Sequence, residues 1–435
     1  MVLHKILRSP KRDNSSDKGL VNFYPYYAGF SPLFVKEVLE NFHIDRNATI
    51  MDPWNGSGTT TKVSGDMGFS AIGFDINPVM VIVAKAKLLS CSATVREQVL
   101  TNLKTIIGLT SGFRNERLYN EDPLNAWLEP ESAMCFRSIE RAIQFLLISN
   151  EYHSIYTQDS LSHISSLASF FYVALFKTLR SFLKPYVSSN PTWIKIASAK
   201  KDYIHPSAND ICTELHKQVH SMIDAVILDN VDTVQNSTCR IKIERASSES
   251  IPLPNSSIDF VISSPPYCTR IDYAIATSPE LALLGCSMSE GIKSLRDRMI
   301  GTPTMIGKIS EVRLDWGLTC TSFLNTVETH ESKASKSYYY RYFTQYFDSI
   351  YKSFLEIDRI LITSGKCVIV VQDSYYKDIH NDLPRIFCEM ADSLNWVILD
   401  RFNFQVKRNM AGRNNRSKKY RKNSDAVECV LIFKK

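Results

Sequence analysis

The sequence predicts an α/β fold in which a block of helices interrupts a sheet. Strand and helix patterns alternate over residues 48–89, and strand patterns return from residue 240 onward. Between them, residues 92–235 carry apolar residues at helical spacing and almost no strand signal. The last two strand patterns, 396–406 and 426–433, follow one another without a helix between them. We therefore expect seven strands, a terminal antiparallel hairpin and a helical insertion.

Local patterns justify these elements in order. Ser31 and Pro32 stand where an N-cap and a first helical residue are expected, and apolar residues at helical spacing follow them. A strand, a glycine-rich turn, a short helix and a second strand ending at Asp75 form a βαβ unit. The predicted strands span 48–51, 70–74, 240–244, 258–262, 366–372, 396–406 and 426–433, and the predicted helices outside the insertion span 31–42, 78–89, 338–358 and 379–394.

Length and composition limit the possible classes of protein. With 435 residues, 44% of them hydrophobic, the chain should form one large domain with an insertion, or two domains. The formal charge of +6 does not by itself decide for a polyanionic partner. Ten scattered cysteines without a CxxC pair argue against a zinc ribbon and a disulfide framework. His216 and His220 lack a third ligand, so no metal is predicted.

No apolar stretch of the sequence is long enough to span a bilayer. The N-terminal residues also lack the apolar run of a targeting segment. We therefore expect a soluble, cytoplasmic protein with no membrane partner. Residues 1–20 are polar and basic, which predicts a flexible arm.

A glycine-rich turn follows the first strand, where residues 50–60 read Ile-Met-Asp-Pro-Trp-Asn-Gly-Ser-Gly-Thr-Thr. Gly56 and Gly58 have no Cβ and so allow a ligand to approach the backbone closely. Asp52 and Asp75 each end a strand, at the edge where open α/β sheets bind ligands. An ordinary tight turn is the alternative for the glycines alone. The spacing of strand, turn, helix, strand and acid favours a ligand site.

A second motif, Ser264-Pro265-Pro266-Tyr267, follows the strand pattern at 258–262. Successive prolines restrict the backbone and lack amide donors, so the segment presents oxygen acceptors in a fixed arrangement. A rigid turn is the alternative explanation of two prolines at the end of a strand. The ordered pair of motifs favours a catalytic segment.

Together the motifs resemble those of S-adenosylmethionine-dependent DNA amino-methyltransferases, the family that makes N4-methylcytosine or N6-methyladenine. The resemblance implies a Rossmann-like class I methyltransferase sheet of seven strands. It assigns residues 21–91 and 236–435 to the methyltransferase domain, and residues 92–235 to a helical insertion that is a candidate target-recognition region. The chain departs from the family pattern in placing this insertion before the third strand. It also has Ala246-Ser247-Ser248 where an acid often follows that strand.

The resemblance implies S-adenosylmethionine as the cofactor. Asp52 would orient the ammonium of its methionine part, directly or through water, and Asp75 would accept hydrogen bonds from its ribose hydroxyls. The segment 24–32 precedes the glycine turn as a third cofactor-binding element does in these enzymes, although packing alone also explains its aromatic residues. The implied cofactor set is Phe30, Ser31, Asp52, Pro53, Gly56, Gly58, Thr59 and Asp75.

The resemblance also implies the chemistry of the second motif. An amino nitrogen conjugated with a base ring is a poor nucleophile, so its lone pair must be drawn out of conjugation. The Ser264 hydroxyl and the Pro265 carbonyl would accept hydrogen bonds from the amino hydrogens, and Tyr267 would stack on a base flipped out of the duplex. Direct transfer needs no covalent intermediate, so Cys268 is interpreted as a bystander. The implied catalytic set is Ser264, Pro265, Pro266 and Tyr267.

The target base and the polymer leave alternatives open. Serine in the first position of the tetrapeptide is commoner in cytosine-N4 members, so cytosine N4 is favoured and adenine N6 is the alternative. An RNA base methyltransferase and a catalytically silent nucleic-acid-binding partner are further alternatives, although a silent protein would be free to lose Ser264 or Tyr267. The resemblance implies a restriction-modification setting with a cognate restriction or defence partner, and the oligomeric state stays open.

A basic loop is predicted between the last two strands. Residues 407–422 carry eight lysines and arginines and no acid, with Tyr420 and several asparagines interleaved. A solvated face is the alternative to phosphate contact, which we favour for a nucleic-acid enzyme. Arg270 follows the tetrapeptide closely enough to line the base pocket, and a structural role is its alternative. The predicted nucleic-acid set is Arg270, Lys407, Arg408, Arg413, Arg416, Lys418, Lys419 and Arg421.

Overall fold

The computed structural model of the chain shows a mixed α/β fold. It describes residues 8–11, 23–24, 29, 31–90, 92–113, 122–149, 155–156, 158–188, 190, 193–229, 240–269, 271–305, 307, 310–406 and 426–435. Its strands are β1 Thr49–Asp52, β2 Ser70–Asp75, β3 Ile241–Arg245, β4 Ile258–Ser263, β5 Leu361–Gln372, β6 Ser374–Tyr376, β7 Ile379–Asn381, β8 Val397–Val406 and β9 Ala426–Lys434. Its helices are α1 Pro32–Asn41, α2 Thr59–Asp66, α3 Pro78–Ala86, α4 Ala93–Thr110, α5 Pro130–Leu147, α6 Gln158–His163, α7 Ser166–Phe182, α8 Ala208–Asp229, α9 Tyr273–Ala276, α10 Ser278–Leu283, α11 Glu290–Arg296, α12 Leu318–Thr329, α13 Tyr340–Ile360 and α14 Leu383–Ser393. None of the described helices has both the length and the apolar character needed to cross a membrane.

Seven of the strands form one sheet in the order β3-β2-β1-β4-β5-β9-β8. The first five strands in this order are parallel, whereas β9 is antiparallel to both of its neighbours. The predicted seven-stranded sheet and its terminal hairpin are therefore confirmed. Because the carboxyl ends of parallel strands meet at one edge, Asp52, Asp75 and Ser263 end their strands at the same edge of the sheet.

The register brings the beginning of β9 to this edge. Ser263, the last residue of β4, pairs with Ile369 of β5, and Ile369 pairs with Leu431 of β9. Three residues further along β5, Gln372 pairs with Glu428. The segment that continues β4 therefore runs beside the end of β5 and approaches Glu428.

Apolar layers cover both faces of the sheet. On one face, α1 and α2 pack with Ile50 and Ile262. On the other face, helices including α12, α13 and α14 pack with Met51 and Val261. Neighbouring residues of β1 and of β4 thus point to opposite faces, as the period of two in a strand requires. Both layers are buried, which fits the near-continuous apolar runs of these strands.

The described part of the predicted insertion contains α4 to α8 and no named strand. These helices share one apolar core with α3 and α10, through buried residues such as Val83, Phe171 and Leu281. The insertion thus packs against the layer of helices beside the sheet. The assignment of residues 21–91 and 236–435 to one domain, with 92–235 as its insertion, stays a prediction.

The structure differs from the prediction over residues 379–394, where the pattern indicates one helix. Residues 374–376 and 379–381 form the antiparallel pair β6 and β7, and α14 begins only at Leu383. Asp382 explains the later start, because its side chain accepts a hydrogen bond from the Arg385 amide at 3.1 Å. Pro384 in the first helical turn reinforces this beginning.

Residues 8–11, part of the predicted arm, contact α1. The Arg8 amide donates to Glu37 Oε2 at 2.7 Å, and the Ser31 amide donates to the Pro10 carbonyl at 2.8 Å. Ser31 occupies the N-cap position of α1 as predicted, but its side chain makes no capping hydrogen bond. Pro32, whose ring presets a helical φ, begins the helix.

Candidate active site

Asp52, the last residue of β1, joins the glycine turn to the end of β4. Its Oδ1 accepts hydrogen bonds from the Trp54 amide at 3.1 Å and from the Ser263 hydroxyl. Its Oδ2 accepts from the Thr60 hydroxyl at 2.7 Å. Burial raises the pKa of Asp52 to about 6, and the bonds from Ser263, Thr60 and Trp54 oppose that rise. The carboxyl is therefore the anchor of the turn.

Asp75, the last residue of β2, holds the same turn from the other side. Its Oδ2 accepts a hydrogen bond from the Gly56 amide at 2.9 Å, and its Oδ1 accepts from the Asn77 amide at 2.8 Å. Burial of the carboxyl raises its pKa to about 6. The residue stays partly exposed, and each oxygen has a second lone pair. Asp75 can thus accept further donors.

The two glycines of the turn adopt left-handed backbone conformations, with φ of 48° at Gly56 and 79° at Gly58. A Cβ added to Gly58 would lie 2.7 Å from Ala84 Cβ of α3. Packing against α3 therefore requires glycine at position 58, whether or not a ligand also approaches it. Of the other predicted cofactor residues, Pro53 is buried in the turn and Thr59 is the first residue of α2.

Two buried donors in the turn have no hydrogen-bond partner among the described residues. They are Trp54 Nε1 and Asn55 Nδ2. The Asn55 side chain lies so close to Gly73 that a Cβ there would be 2.4 Å from Asn55 Cγ. The other polar atom of this side chain, Oδ1, accepts a hydrogen bond from the Thr61 hydroxyl at 3.1 Å. The turn therefore keeps unused donor capacity, which is uncommon for buried groups.

A cavity of about 470 Å³ opens beside the ends of β2 and β3. Its walls include Ile76, which follows Asp75, and Ala246 and Ser247, which follow β3. This volume lies within the range of small-molecule sites. Glu249 also lines the cavity, and burial raises its pKa. An acid thus stands near the end of β3, although the three residues directly after the strand contain none.

Two distant elements hold the tetrapeptide that continues β4. The Tyr346 hydroxyl of α13 donates to the Pro266 carbonyl at 2.9 Å. The Tyr267 hydroxyl donates to Glu428 Oε1 of β9 at 2.9 Å. Within the described residues, no group donates to the Pro265 carbonyl. Hydrogen bonds therefore fix Pro266 and Tyr267, whereas the Pro265 carbonyl can still accept a hydrogen bond.

The phenol of Tyr267 is a neutral donor in this arrangement. Burial raises its pKa well above the usual value, the Glu428 carboxyl adds to the rise, and the Ser264 hydroxyl opposes it. Burial also raises the pKa of Glu428. The Tyr267 hydroxyl therefore stays protonated and donates to Glu428.

Two ion pairs fix the segment that follows the tetrapeptide. Arg296 Nε lies 2.7 Å from Asp272 Oδ2. Arg180 Nε of α7 lies 2.6 Å from Glu280 Oε1, which also accepts from the Tyr24 hydroxyl at 2.8 Å. Tyr24 begins the segment 24–32, which is predicted to resemble a third cofactor-binding element. The second pair therefore connects that segment, the helical insertion and the chain after the tetrapeptide.

The predicted residues fall into three groups. The structure brings together the turn, Asp75 and the end of β4, and it places the tetrapeptide directly after β4. Ser31 lies at the beginning of α1, with its amide on Pro10. The remaining predicted residues lie outside the described residues: Phe30, Arg270, Lys407, Arg408, Arg413, Arg416, Lys418, Lys419 and Arg421.

Sequence reasoning missed several residues that build this site. Thr60 is the last residue of the quoted glycine-rich segment and Ser263 directly precedes the tetrapeptide, so the two motifs were the available signal. Glu428 is an isolated acid in the apolar run Ala-Val-Glu-Cys-Val-Leu-Ile-Phe, a pattern that indicates a specific role. Tyr346 belongs to a helix rich in aromatic residues, and nothing in the sequence distinguishes it from Tyr342 or Phe347.

No protein-family model matches the chain. The chain is similar to the Type II methyltransferase M.BsoBI of Geobacillus stearothermophilus, with 24% identity over 303 residues, 66% of this chain and 56% of that protein. It is also similar to the Type II methyltransferase M.MjaII of Methanocaldococcus jannaschii, with 37% identity over 71 residues, 16% of this chain and 13% of that protein. Each match spans less than two thirds of the relative's length.

These two similarities confirm the resemblance that the motifs predict, because both relatives are type II methyltransferases. Among solved structures, the YcgJ protein of Bacillus subtilis gives a TM-score of 0.31 at 8% identity and covers 92% of this chain and 96% of that chain.

Proposed function

We propose that the protein is an S-adenosylmethionine-dependent DNA methyltransferase that modifies an exocyclic amino group, with cytosine N4 as the favoured target. One contact carries the proposal. The Ser263 hydroxyl donates to Asp52, so the residue before the tetrapeptide is bonded to the anchor of the glycine turn. A cofactor on the turn and a base on the tetrapeptide would then be neighbours. The strand order supports a Rossmann-like methyltransferase sheet.

The residues of the turn fit the proposed cofactor. S-adenosylmethionine supplies an activated methyl group on a sulfonium when it is bound. Asp75 has free lone pairs for ribose hydroxyls, and Ile76 and Ala246 offer apolar surface for an adenine ring in the adjoining cavity. Trp54 Nε1 and Asn55 Nδ2 supply unused donors. These features support binding at the ends of β1, β2 and β3.

The tetrapeptide fits the proposed substrate. Ser264 and the unoccupied Pro265 carbonyl would accept the two amino hydrogens of the target base and so draw its lone pair out of conjugation. The Tyr267 ring would stack on a base flipped from the duplex. Rate would then come mainly from proximity and orientation. No step requires a residue to form a covalent bond with the base.

The remaining parts of the proposal concern the partners. Arg270 and the basic residues of loop 407–422 would contact DNA, and the insertion 92–235 would take part in target recognition. Because both relatives are type II methyltransferases, a restriction-modification setting with a cognate restriction partner is favoured. The methyltransferase domain would comprise residues 21–91 and 236–435.

The test is methyl transfer from labelled S-adenosylmethionine to mixed-sequence duplex DNA and, separately, to RNA. We expect label in DNA. Label in RNA alone would favour an RNA base methyltransferase, and cofactor binding without transfer to either polymer would favour a catalytically silent partner. Adenine N6 is the second candidate target, because adenine also carries an exocyclic amino group conjugated with its ring.

A further inference from the structure

Glu428 has no role in the chemistry described so far, yet it contacts the tetrapeptide. Its Oε1 accepts the hydrogen bond from the Tyr267 hydroxyl at 2.9 Å. Only 8% of Glu428 is exposed, in a strand whose neighbouring residues are apolar. Acidic residues are seldom buried this deeply without a specific partner. The position therefore calls for a reason beyond folding.

The second oxygen of this carboxyl is unusual. Glu428 Oε2 is buried and has no hydrogen-bond partner within the described part of the chain. Glu280 gives the contrast, because it also binds a tyrosine, Tyr24, but Arg180 engages both of its oxygens. A buried oxygen without a partner costs free energy. An apolar residue at position 428 would avoid this cost if packing were the only role of the side chain.

The backbone around Glu428 is fixed at the end of β5. Asp373 Oδ1 accepts a hydrogen bond from the Val427 amide at 2.8 Å, and the Asp373 amide donates to the Val427 carbonyl at 3.1 Å. Glu428 itself pairs in register with Gln372. The carboxyl is thus presented by a rigid strand, which makes it a firm attachment point for the Tyr267 ring.

We propose that Glu428 is a positioning residue that holds the Tyr267 phenol, so that the ring forms a fixed stacking surface for the target base. The inference rests on the proposed function, in which Tyr267 stacks on that base. Loss of the carboxyl leaves the ring in place but free to move, so turnover suffers and cofactor binding does not. Glutamine retains a carbonyl that accepts the same hydrogen bond, whereas leucine retains only the bulk.

The test compares Glu428→Leu, Glu428→Gln, Tyr267→Phe and the double variant Glu428→Leu/Tyr267→Phe. We expect kcat of Glu428→Leu to fall ~10-fold, the scale of one lost hydrogen bond, with the S-adenosylmethionine Kd changed less than ~2-fold. Glu428→Gln should recover most of kcat. Because Glu428→Leu and Tyr267→Phe remove the same hydrogen bond, the double variant should be no slower than Glu428→Leu. Unchanged kcat in Glu428→Leu, or effects that multiply in the double variant, would overturn the proposal.

A matched control separates positioning from stability. Glu389→Leu also removes a carboxyl that accepts a hydrogen bond from a hydroxyl, because the Thr319 hydroxyl of α12 donates to Glu389 Oε1 of α14 at 2.5 Å, outside the insertion and the tetrapeptide. It should lower the free energy of unfolding without lowering kcat of the folded protein. An equal fall in kcat for this control would overturn the positioning role. If the wild-type protein transfers no methyl group, the proposed function fails together with the stacking role. If the wild-type protein is active but the effects of Glu428→Leu and Tyr267→Phe on kcat multiply in the double variant, the positioning role alone is rejected.

Discussion

The glycine turn and the tetrapeptide lie side by side at one edge of the sheet, but they are held in different ways. Asp52 and Asp75 bind donors of the turn that lie 2, 8 and 19 residues away along the chain. The tetrapeptide depends on Tyr346 and Glu428, which lie 80 and 161 residues away. Apart from the Ser263 hydroxyl, which donates to Asp52, the turn is therefore held mainly by residues near it in the sequence, whereas the tetrapeptide is positioned by distant elements.

This difference suggests that the two segments have separate roles. A turn held mainly by nearby residues depends little on the packing of distant helices, which suits a cofactor site. A segment positioned by distant elements depends on the packing of α13 and β9, which suits a site whose activity depends on orientation. Changes at the turn should therefore affect cofactor affinity and stability, and changes at the tetrapeptide should affect turnover.

The largest expected effect concerns the tetrapeptide. Tyr267→Ala should abolish methyl transfer, because it removes the stacking surface for the flipped base. Cofactor affinity, measured by calorimetry, should be unchanged, because among the described residues the Tyr267 side chain is hydrogen-bonded to Glu428 and not to the turn. Full activity in this variant would refute the catalytic assignment. A loss of cofactor binding would instead remove the proposed distinction between the two segments.

The second prediction concerns the pH dependence of stability at the turn. Burial raises the pKa of Asp52 from 3.8 to about 6, which corresponds to ~3 kcal/mol of unfolding free energy. Because the folded pKa lies above the unfolded one, this contribution is complete below about pH 4 and is lost as the pH rises through about 6. Denaturant unfolding of wild type and Asp52→Asn should therefore show a difference in free energy that falls as the pH rises. A difference that is constant over this window would contradict the buried titration.

The third prediction concerns cofactor affinity. Asp75→Ala should weaken S-adenosylmethionine binding by ~1.5 to 3 kcal/mol, the scale of a lost hydrogen bond to a charged group. The variant also frees the Gly56 amide, so part of the loss comes from the shape of the turn. Calorimetry measures the effect, and Tyr267→Ala provides the matched variant at the other segment. Unchanged binding by Asp75→Ala would refute its role.

The smallest expected effect tests the remote support of the tetrapeptide. Tyr346→Phe removes the hydroxyl that donates to the Pro266 carbonyl and should lower kcat by ~3- to 10-fold, or ~1 kcal/mol. Tyr351→Phe, on the same helix, is the control, because its hydroxyl contacts Ser393 at 3.3 Å. Equal kcat values for the two variants would show that α13 does not position the tetrapeptide.

The same contrast explains what the sequence could predict. The strands, the terminal hairpin and both motifs follow from local patterns, and the turn's acids stand at the ends of its own strands. Tyr346 and Glu428 could not be assigned, because their partners are chosen by the strand order and register of the finished sheet. The pair β6 and β7 was missed for a local reason, since Ile379 fits an apolar helical stripe until Asp382 and Pro384 set the actual start of α14.

The most direct test of the central claim is to identify the methylated nucleoside. Purified protein would be incubated with isotopically labelled S-adenosylmethionine and mixed-sequence duplex DNA, and the digested product would be examined by mass spectrometry. The account predicts labelled N4-methylcytosine; N6-methyladenine would keep the mechanism and change the base. A protein that binds the cofactor and leaves DNA unlabelled would contradict the claim that the two segments form one DNA amino-methyltransferase site.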